Sequence, residues 1–411
     1  MKRVVITGAG VVSPLGCDPE SFFNALIAGH SGIRRVDTPW AESLAMPYAG
    51  IVTRDVEAEF PKVKRISMDR FSLLALLAAR DALARSGVSL EGEAGEQAGL
   101  FWSTGMGGAH ALDSAYHELL VSNAARLRPS TIIMVMNNAA TGQIGIDLGI
   151  RGPSYTYSSA CSSSAVAIGE AFRAVRFGLV PCAIAGGSEA LLTQGVIKAW
   201  ESLGTLARAD ARGPEAACRP FAADRSGFLL AEGAAAVVLE EREAALARGA
   251  VVLGEIVGFG NTTDAGHITQ PDAGGQARAM RLALKEAGLT AGDIGHINAH
   301  GTGTKVGDVS ETKAIREVFG THAPSILISA TKALHGHLMG ATGAVELLAT
   351  VMALKRRVAP PTAHLWQADP ACDLDYVPLT ARPLSGTEFA MSNSFGFGGN
   401  NAVLIVRRAD R

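Results

Sequence analysis

The sequence is poor in aromatic and charged residues and contains no long apolar run. Aromatic residues make up 6% of its 411 residues and charged residues 18%, and the formal net charge is -2. This balance gives no support to broad nucleic-acid binding, so an acidic partner would have to meet a local basic patch. No stretch approaches the roughly 20 apolar residues of a membrane span. We therefore expect a soluble protein with neither a nucleic-acid partner nor a membrane span.

Cysteine is also scarce, and its pattern excludes two common uses. The five cysteines are an odd number without any CxxC pair, which fits neither a disulfide framework nor a zinc site. The N-terminal MKRVVITGAGVVSPLG lacks the small-residue cleavage site of a signal peptide and predicts a first strand. We expect a cytoplasmic protein without a bound metal.

Glycine, in contrast, is abundant, and the 47 glycines favour tight turns and close backbone contacts over disorder. The segment DPESFFNALIAG predicts a helix with Asp18 as N-cap and Pro19 at the first position, and residues 68–87 have helical spacing. Further segments predict short strands running into Gly, Ser or Thr loops: AGLFWSTG, CAIAGGSEA, VVLGEIVGFG, IGHINAHGTGT and SILISATKA. Strands alternating with helices predict an α/β protein.

Two stretches share one plan and predict a duplicated chain. A strand, a polar loop and a helix of small residues occur around Cys161 and again around HGHLMGATGAVELLATVMAL, residues 335–354. We place the divide after the charged EEREAALARG, which gives an N-terminal half of residues 1–250 and a C-terminal half of residues 251–411. Two domain-sized units fit a chain of this length.

Cys161 stands between small hydroxyl residues and the start of a predicted helix, in YSSACSSSAVAIG. At a helix N-terminus its sulfur faces unpaired N–H groups, which favours the thiolate and predicts a pKa below the free value of ~8.5. Its small neighbours leave room for a carbonyl group, and its own N–H is a candidate oxyanion donor. An inert buried cysteine is the alternative for this residue taken alone.

Two loops supply histidines that could act with this cysteine. NAHGTGT contains His300, and ATKALHGHLMGATGA contains Lys332, His335 and His337. Strand ends that lead into Gly-rich loops are where α/β proteins present catalytic groups. A cysteine with two histidines fits proteolysis, metal binding or carbon–carbon bond formation at a thioester, and the spacing does not choose between them.

Motifs along the whole chain resemble those of the elongating β-ketoacyl-[acyl-carrier-protein] synthases, the condensing enzymes of fatty acid and polyketide synthesis. They occur in order and at family-like distances: VVITGAGVVSPLG, SMDRF, NNAATGQIGIDLGIRGPSYTYSSACSSSA, AIAGGSEA, RPFAADRSGFLLAEGAAAVVLE, NAHGTGTKVGDVSETKAI, SATKALHGHLMGATGAVE and NSFGFGGNN. The resemblance implies the thiolase fold, an α/β fold of two similar halves in a five-layered α/β/α/β/α architecture. It also implies a homodimer, or a heterodimer with a related subunit.

The resemblance implies an acyltransferase whose partner is an acyl carrier protein. An acyl group held on the cysteine condenses with malonyl-carrier protein, which loses carbon dioxide, to give 3-oxoacyl-carrier protein. The substrates travel on the phosphopantetheine of the carrier, and no further cofactor or metal is implied.

Roles for individual residues follow from the same resemblance. Cys161 is the nucleophile, and His300 and His337 are the donors to the enolate oxygen that forms when carbon dioxide leaves. The N–H groups of Cys161 and Phe395 form the oxyanion hole for acyl transfer. Lys332 and Glu311 belong to a supporting network around the histidines.

The remaining implied roles concern substrate binding. Thr302 and Thr304 bind the pantetheine arm, and Phe397 belongs with Phe395 to a Gly-rich gating loop. Met106 falls at the bottom of the acyl pocket near the dimer interface, where a bulky side chain restrains chain length. Basic residues in segments near the family's docking surface are candidate contacts of the carrier protein: Lys62, Lys64, Arg65, Arg126, Arg128 and Arg208.

Some positions depart from the pattern of housekeeping synthases. Cys161 is followed by three serines, and Asn400 replaces the usual threonine. These departures leave open the acyl specificity and the choice between fatty acid and polyketide or polyene elongation. Two other classes are alternatives: a non-catalytic chain-length partner subunit, which normally lacks the nucleophile, and a degradative thiolase, which needs a second reactive cysteine that NSFGFGGNN does not contain.

Overall fold

The computed structural model describes residues 1–409, in which strands and helices alternate. The strands are β1 Val4–Val12, β2 Ile33–Arg35, β3 Tyr48–Gly50, β4 Gly99–Ser103, β5 Ser154–Tyr157, β6 Cys182–Glu189, β7 Gly233–Glu241, β8 Gly254–Thr263, β9 Ile294–Asn298, β10 Leu327–Ser329, β11 Val358–Ala359, β12 Arg382–Pro383, β13 Phe389–Gly396 and β14 Asn400–Arg408. The α-helices are α1 Pro19–Ile27, α2 Lys62–Arg65, α3 Arg70–Ser86, α4 Glu93–Gln97, α5 Ala109–Leu120, α6 Thr131–Val135, α7 Ala139–Leu148, α8 Ser163–Arg176, α9 Gln194–Leu203, α10 Arg242–Ala247, α11 Ala273–Ala287, α12 Lys305–Phe319, α13 Lys332–His335 and α14 Thr342–Arg356. Short 3-10 helices lie at Pro39–Ser43, Glu57–Glu59, Pro214–Ala216, Ala291–Asp293, Gly320–Ser325 and Met339–Ala341.

The main sheet has ten strands and consists of two sets with the same topology. Its order is β10-β9-β13-β14-β8-β1-β7-β6-β4-β5, so each five-strand set, read outward from the centre, follows the same sequence of connections. In each set the strand nearest the centre of the sheet, β1 or β8, pairs antiparallel with its neighbour, β7 or β14. The three outer strands of each set run parallel to one another. β1 and β8 pair antiparallel and join the two sets. The duplicated plan inferred from the sequence is therefore present, while a domain boundary between residues 250 and 251 stays a prediction.

Helices form layers around and between these strands. α8 and α14 pack against each other and contact strands of both sets, so they form the central layer. α3 and α7 cover the outer face of the first set, and α11, with α12 beside it, covers that of the second. The five-layered α/β/α/β/α arrangement of the thiolase fold is thereby confirmed. No helix among residues 1–409 combines the length and apolar character needed to cross a membrane.

The central helices are buried because their sequences are apolar or small around most of the circumference. α14 is buried from Thr342 to Leu354, and α8 is buried over most of its length. A Cβ at Gly169 of α8 would lie 2.4 Å from ring atoms of Phe259 on β8, so only glycine permits this approach. This close packing holds α8 in place, and the candidate nucleophile Cys161 lies directly before the start of that helix.

Local capping explains several elements that the sequence predicts. α1 begins after Asp18, whose side chain accepts hydrogen bonds from the N–H groups of Glu20 and Ser21. α3 begins at Arg70 after an Asp69 cap and ends at Gly87, which has a φ of 69°. The predicted strands around residues 100, 184, 256, 296 and 328 are all present, as β4, β6, β8, β9 and β10.

The topology brings the candidate loops together. β4 and β5 run parallel in the first set, as do β9 and β10 in the second. Cys161 follows β5 and His300 follows β9, while Lys332 and His337 follow β10. Because α8 and α14 pack against each other, the segments that lead into them converge at one site.

Candidate active site

Cys161 lies immediately before α8, at a strained turn. Ala160 has a φ of 51°, in the left-handed region, and α8 begins at Ser163. Ser163 Oγ accepts a hydrogen bond from the N–H of Ser159 at 2.8 Å and donates to the carbonyl of Ala160, which holds the turn in place. The turn therefore fixes the thiol at the N-terminal end of a buried helix.

The structure brings the cysteine and both predicted histidines together. One ligand-type atom from each of Cys161, His300 and His337 lies within 4.8 Å of the other two. The two imidazole rings meet edge to face, with centroids 5.6 Å apart. A thiol and two imidazoles at this separation can act on one carbonyl group, although the same donor types also bind zinc.

Hydrogen bonds define which nitrogen of His337 faces the site. Its Nδ1 accepts the N–H of Met339 at 3.2 Å and lies 2.9 Å from Thr342 Oγ1. A backbone N–H only donates, so the hydrogen of the neutral ring is on Nε2. Nε2 has no hydrogen-bond partner within residues 1–409. His337 thus presents a free N–H donor.

His300 is oriented by a buried lysine. Lys332 Nζ lies 3.4 Å from His300 Nδ1 and donates to the carbonyl of His300. An ammonium group only donates, so this contact also leaves the ring hydrogen on Nε2. The ion-pair partner of Lys332 is Glu346, at 2.6 Å, and both side chains are fully buried.

Glu346 was not identified from the sequence. Glu311 is held by backbone and amide N–H groups instead of by an ion pair with Lys332. The Glu311 carboxylate accepts the N–H groups of His300 and Gly301, both at 2.9 Å, and Asn393 Nδ2 at 3.0 Å. It therefore holds the His300 loop through its backbone. A lone carboxylate within the apolar run AVELLATVMAL was the available signal for Glu346.

Burial and Lys332 together keep the histidines neutral. The pKa values of His300 and His337 lie well below the ordinary value, first because the rings are buried and second because the Lys332 ammonium disfavours a second positive charge. Neutral imidazoles are the forms that can offer an N–H while their other nitrogen accepts a bond. The site is therefore set up for hydrogen-bond donation at neutral pH.

The pKa of the Cys161 thiol is raised, whereas the sequence predicted a lowered pKa. Burial raises the pKa of Cys161 to about 11, and Lys332 and the N–H of Phe397 only partly oppose this effect. The helix terminus is present, but the sulfur is buried, and the loss of hydration disfavours its charged form. The resting group is consequently a thiol.

The Gly-rich loop before β14 brings the N–H of Phe397 beside the Cys161 sulfur. The backbone N–H of Phe397 lies close enough to Cys161 Sγ to lower the pKa of the thiol. The ring of Phe395 instead packs against His300, with centroids 5.8 Å apart. A Cβ at Gly396 would lie 3.1 Å from the Cys161 nitrogen, so the loop reaches the nucleophile only through glycine. The role of Phe395 in the oxyanion hole stays a prediction, and the N–H of Phe397 is a second candidate donor.

A pocket of about 510 Å³ leads from the surface to the three residues. Its size lies within the usual range for small-molecule sites. Thr302 and Thr304 line it, their Oγ1 atoms 3.0 Å apart, and Thr304 also caps α12. Phe397 and Arg208 line it as well.

The other predicted residues lie outside this pocket. Met106 is 48% exposed, and its N–H donates to Glu189 Oε1 at 3.2 Å. Lys62, Lys64 and Arg65 form the short helix α2, and Lys64 pairs with Asp147 at 3.0 Å. The segment with Arg126 and Arg128 is exposed, and Arg128 pairs with Glu118 at 2.8 Å.

A buried cysteine–histidine–histidine group at the inner end of such a pocket, in a duplicated five-layered α/β fold, defines a condensing enzyme of the thiolase-fold class. The family model described as "Beta-ketoacyl synthase, N-terminal domain" matches residues 1–245, and "Beta-ketoacyl synthase, C-terminal domain" matches residues 253–366. The chain therefore belongs to the beta-ketoacyl synthase family.

Individual relatives agree over their full length. The chain is 41% identical to nodulation protein E of Rhizobium sp. (strain N33), with 99% of each chain covered. It is 39% identical to 3-oxoacyl-[acyl-carrier-protein] synthase 2 of Staphylococcus aureus (strain N315), over 99% of this chain and 98% of that protein. The chain is accordingly an elongating ketosynthase, an enzyme of the acyltransferase type, and the resemblance seen in the sequence is confirmed.

Solved structures give the same result. The ishigamide ketosynthase/chain length factor superposes with a TM-score of 0.92 at 32% identity, covering 99% of both chains. A type II PKS acyl-carrier protein in complex with its ketosynthase bound to the hexaketide gives 0.91 at 27% identity, over 99% of this chain and 100% of that chain. The thiolase and non-catalytic partner alternatives are not favoured.

Proposed function

We propose that this protein elongates an acyl group held on Cys161 with malonyl-acyl carrier protein and releases 3-oxoacyl-carrier protein and carbon dioxide. The observation that carries the proposal is the convergence of the Cys161 sulfur with His300 and His337 within 4.8 Å. In this reaction the thiol and the two imidazoles act directly on the substrates, so the reaction needs neither a metal nor a further cofactor. Five free cysteines fit a reducing, cytoplasmic location.

The first half-reaction is acyl transfer to sulfur. Cys161 loses its proton to water, because both imidazoles present Nε2 hydrogens to the site, and its thiolate attacks the thioester carbonyl of an acyl-carrier protein. The N–H groups of Cys161 and Phe397 stabilise the negative charge on the carbonyl oxygen. The carbon–sulfur bond to the carrier then breaks, and the carrier leaves as a thiol once the proton is returned.

The second half-reaction forms the carbon–carbon bond. Malonyl-carrier protein loses carbon dioxide, and the electron pair of the broken bond generates an enolate thioester. His300 and His337 donate their Nε2 hydrogens to the enolate oxygen, where charge develops. The enolate carbon attacks the acyl carbonyl on Cys161, and the cysteine sulfur departs.

Supporting residues act through the histidines and through the pantetheine arm. Lys332, paired with Glu346, lies beside His300 Nδ1, while Glu311 holds the backbone of the same loop. Thr302 and Thr304 offer hydroxyl groups to the amides of the arm. These contacts orient the groups and keep Lys332 away from direct proton transfer.

The carrier protein docks beside the pocket mouth. Arg208 is exposed at the rim of the pocket, and Ser130, close to the segment with Arg126 and Arg128, bonds to the carbonyl of Ile66 next to α2. The two basic segments are therefore neighbours. A positive patch of this kind would attract an acidic carrier and orient its pantetheine arm.

A second subunit covers an apolar face next to Met106. β5 is an edge strand of the main sheet, and its exposed backbone is available for pairing. Exposed apolar side chains lie on β5 itself, on α5 and α6 and on the segments beside these helices, and α6 packs on α7, which contacts β5: Met106, Leu112, Tyr116, Leu119, Ile132, Ile133, Met136 and Tyr155. We propose a homodimer through this face, with Met106 closing the acyl pocket beside the partner; a related subunit in a heterodimer is the alternative. Sedimentation of the purified chain distinguishes the two, because a homodimer forms without any added subunit.

The test separates the two half-reactions. The purified protein is incubated with acyl-carrier proteins of graded chain length and unsaturation, and its intact mass is measured. Wild-type protein should gain one acyl group, and Cys161→Ala should gain none. His300→Ala and His337→Ala should still gain the acyl group but release carbon dioxide from malonyl-carrier protein at least about 100-fold more slowly, in line with the loss of a donor to an oxyanion.

A control variant and two contradicting results decide whether the proposal holds. His267, which is exposed and whose Nδ1 accepts hydrogen bonds from the N–H groups of Thr269 and Gln270 in its own loop, provides a control substitution to alanine that should retain both half-reactions. Acylation that persists in Cys161→Ala would overturn the nucleophile assignment. Unchanged release of carbon dioxide in both histidine variants would overturn the role of the imidazoles.

A further inference from the structure

Trp200 lies on the pocket wall and stacks against the gating loop. It belongs to α9, is half-buried and lines the pocket that leads to Cys161. Its ring is nearly parallel to that of Phe397, with centroids 5.9 Å apart and an angle of 21° between the planes. This is the offset stacked geometry that aromatic pairs prefer.

The same ring contacts a second aromatic residue that reaches the catalytic group. Trp200 meets Phe228 edge to face, at 5.6 Å and 73°, and Phe228 meets His337 in the same way, at 5.1 Å and 78°. Trp200 therefore lies between the loop that carries Phe397 and the wall that supports His337.

The two neighbours of Trp200 lie in segments that differ in glycine content. Phe228 is buried, and its backbone bonds to Thr205 and Ala207, directly after α9. Phe397 precedes two glycines, Gly398 and Gly399, with φ values of 83° and 72°, and the N–H of Gly398 donates to the carbonyl of Ile268 at 2.8 Å. Glycines at such angles allow the loop to change conformation at low cost. The loop side of the stack is therefore the part that can move, once the bond between Gly398 and Ile268 opens.

We infer that Trp200 is a positioning residue that holds the Phe397 ring on the pocket wall and so keeps the Phe397 N–H against the Cys161 sulfur. Long substrates have to displace this stack to enter. The inference rests on the proposed function for the meaning of the loop as a gate. An aromatic stack of this kind should shift the balance between held and released loop by about 2- to 10-fold.

The test compares small and bulky reagents at the same sulfur. Cys161 is labelled with iodoacetamide and with a bulky aromatic maleimide, and the rates are read from the Cys161 peptide by mass spectrometry, which separates it from the other cysteines. Trp200→Ala should raise the ratio of bulky to small labelling rates by about 2- to 10-fold, because the bulky reagent needs the released loop. Trp200→Phe keeps a stacking ring and should return the ratio towards the wild-type value.

Controls protect the result from a general loss of structure. Val196→Ala, one turn earlier on α9 and partly buried, should leave the ratio unchanged. Trp200→Leu retains apolar packing without a ring and should behave like Trp200→Ala even if the alanine variant folds poorly. A ratio that stays constant in Trp200→Ala and Trp200→Leu, or equal acceleration by both reagents, would overturn the inference. The measurement uses no carrier protein, so a failure of the proposed acyl transfer would appear separately, in the intact-mass experiment.

Discussion

Lys332 and Glu346 form an ion pair of 2.6 Å in which both side chains are fully buried. The pair links α13 to α14, and the same ammonium group contacts the carbonyl and Nδ1 of His300. Burial raises the pKa of Glu346 to about 7, while Lys332 opposes that rise. The pair therefore keeps one positive charge beside the histidines without leaving it uncompensated in the core.

Removing the lysine should destabilise the protein in a pH-dependent way. Lys332→Met leaves the Glu346 carboxylate buried and unpaired, which should cost about 3–5 kcal/mol in the free energy of unfolding at pH 8. The pKa of Glu346 in the folded variant lies above the unfolded value of about 4.3, so the penalty exists above that value and shrinks as the carboxylate takes up a proton. Denaturant unfolding at pH 8 and pH 5.5 should show the smaller penalty at pH 5.5.

A second substitution checks the cause of that penalty. In Lys332→Met/Glu346→Gln no charge remains in the pair, so the penalty in the free energy of unfolding should be the same at pH 8 and at pH 5.5. An equal penalty at both pH values in the single variant would mean that lost packing, and not the buried carboxylate, causes the destabilisation.

The neutral histidines predict a flat acid limb for decarboxylation. Because the pKa values of His300 and His337 are lowered, both rings stay neutral as pH falls through 6.5, where a free histidine would take up a proton. The rate of carbon dioxide release by Cys161→Ala, which removes the thiol titration, should change less than about 2-fold between pH 8 and pH 6. A fall to half near pH 6.5 would show ordinary histidine pKa values and contradict the effect of burial and Lys332.

The buried thiol predicts a steep pH dependence for alkylation of Cys161. With a pKa of about 11, the thiolate fraction, and with it the rate with iodoacetamide, should rise about 10-fold per pH unit from pH 7 to pH 9.5. A small thiol measured alongside should level off above about pH 8.5. A plateau for Cys161 below pH 8.5 would instead support the low pKa expected from the helix terminus.

Charge reversal should identify the docking surface of the carrier protein. Arg126→Glu and Arg208→Glu should each raise the KM for acyl-carrier protein about 3- to 10-fold, because each removes one attractive contact and adds a repulsive one. The rate of Cys161 alkylation should stay unchanged in both variants. Arg281→Glu, on the outer helix α11, provides the matched charge change and should leave KM as it is. If acylation and alkylation fell together, the substitutions would be acting on the fold and not on docking.

Local features of the sequence were sufficient for much of the fold. Asp18 and Pro19 predict the start of α1, and the glycine after α3 predicts its end, because capping depends on residues adjacent in the chain. The family motifs identify Cys161, His300 and His337 by residue type and order. The roles of these residues, and of Met106 and the basic residues, stay predictions until the experiments above are done.

Other features of the site escaped sequence reasoning because they depend on distant contacts. Lys332 and Glu311 were expected in one network around the histidines, but the ion-pair partner of Lys332 is Glu346, which was not singled out from the sequence and which lies on the buried helix α14. Phe395 was expected to supply the second N–H of the oxyanion hole, and the structure shows in addition that the turn between β13 and β14 brings the N–H of Phe397 beside the sulfur. A shift of two residues along one motif cannot be decided without the path of the backbone.

The sequence by itself determined the chemical types available at the site, the alternation of strands and helices and membership of the condensing enzymes, since each of these depends on residue identity and local spacing. Only the tertiary structure decided that three loops meet within 4.8 Å, that His337 offers its Nε2 hydrogen and that burial raises the pKa of Cys161 to about 11. Hydrogen-bond partners and desolvation are properties of the surroundings of a group, and the packing of α8 against α14 creates those surroundings.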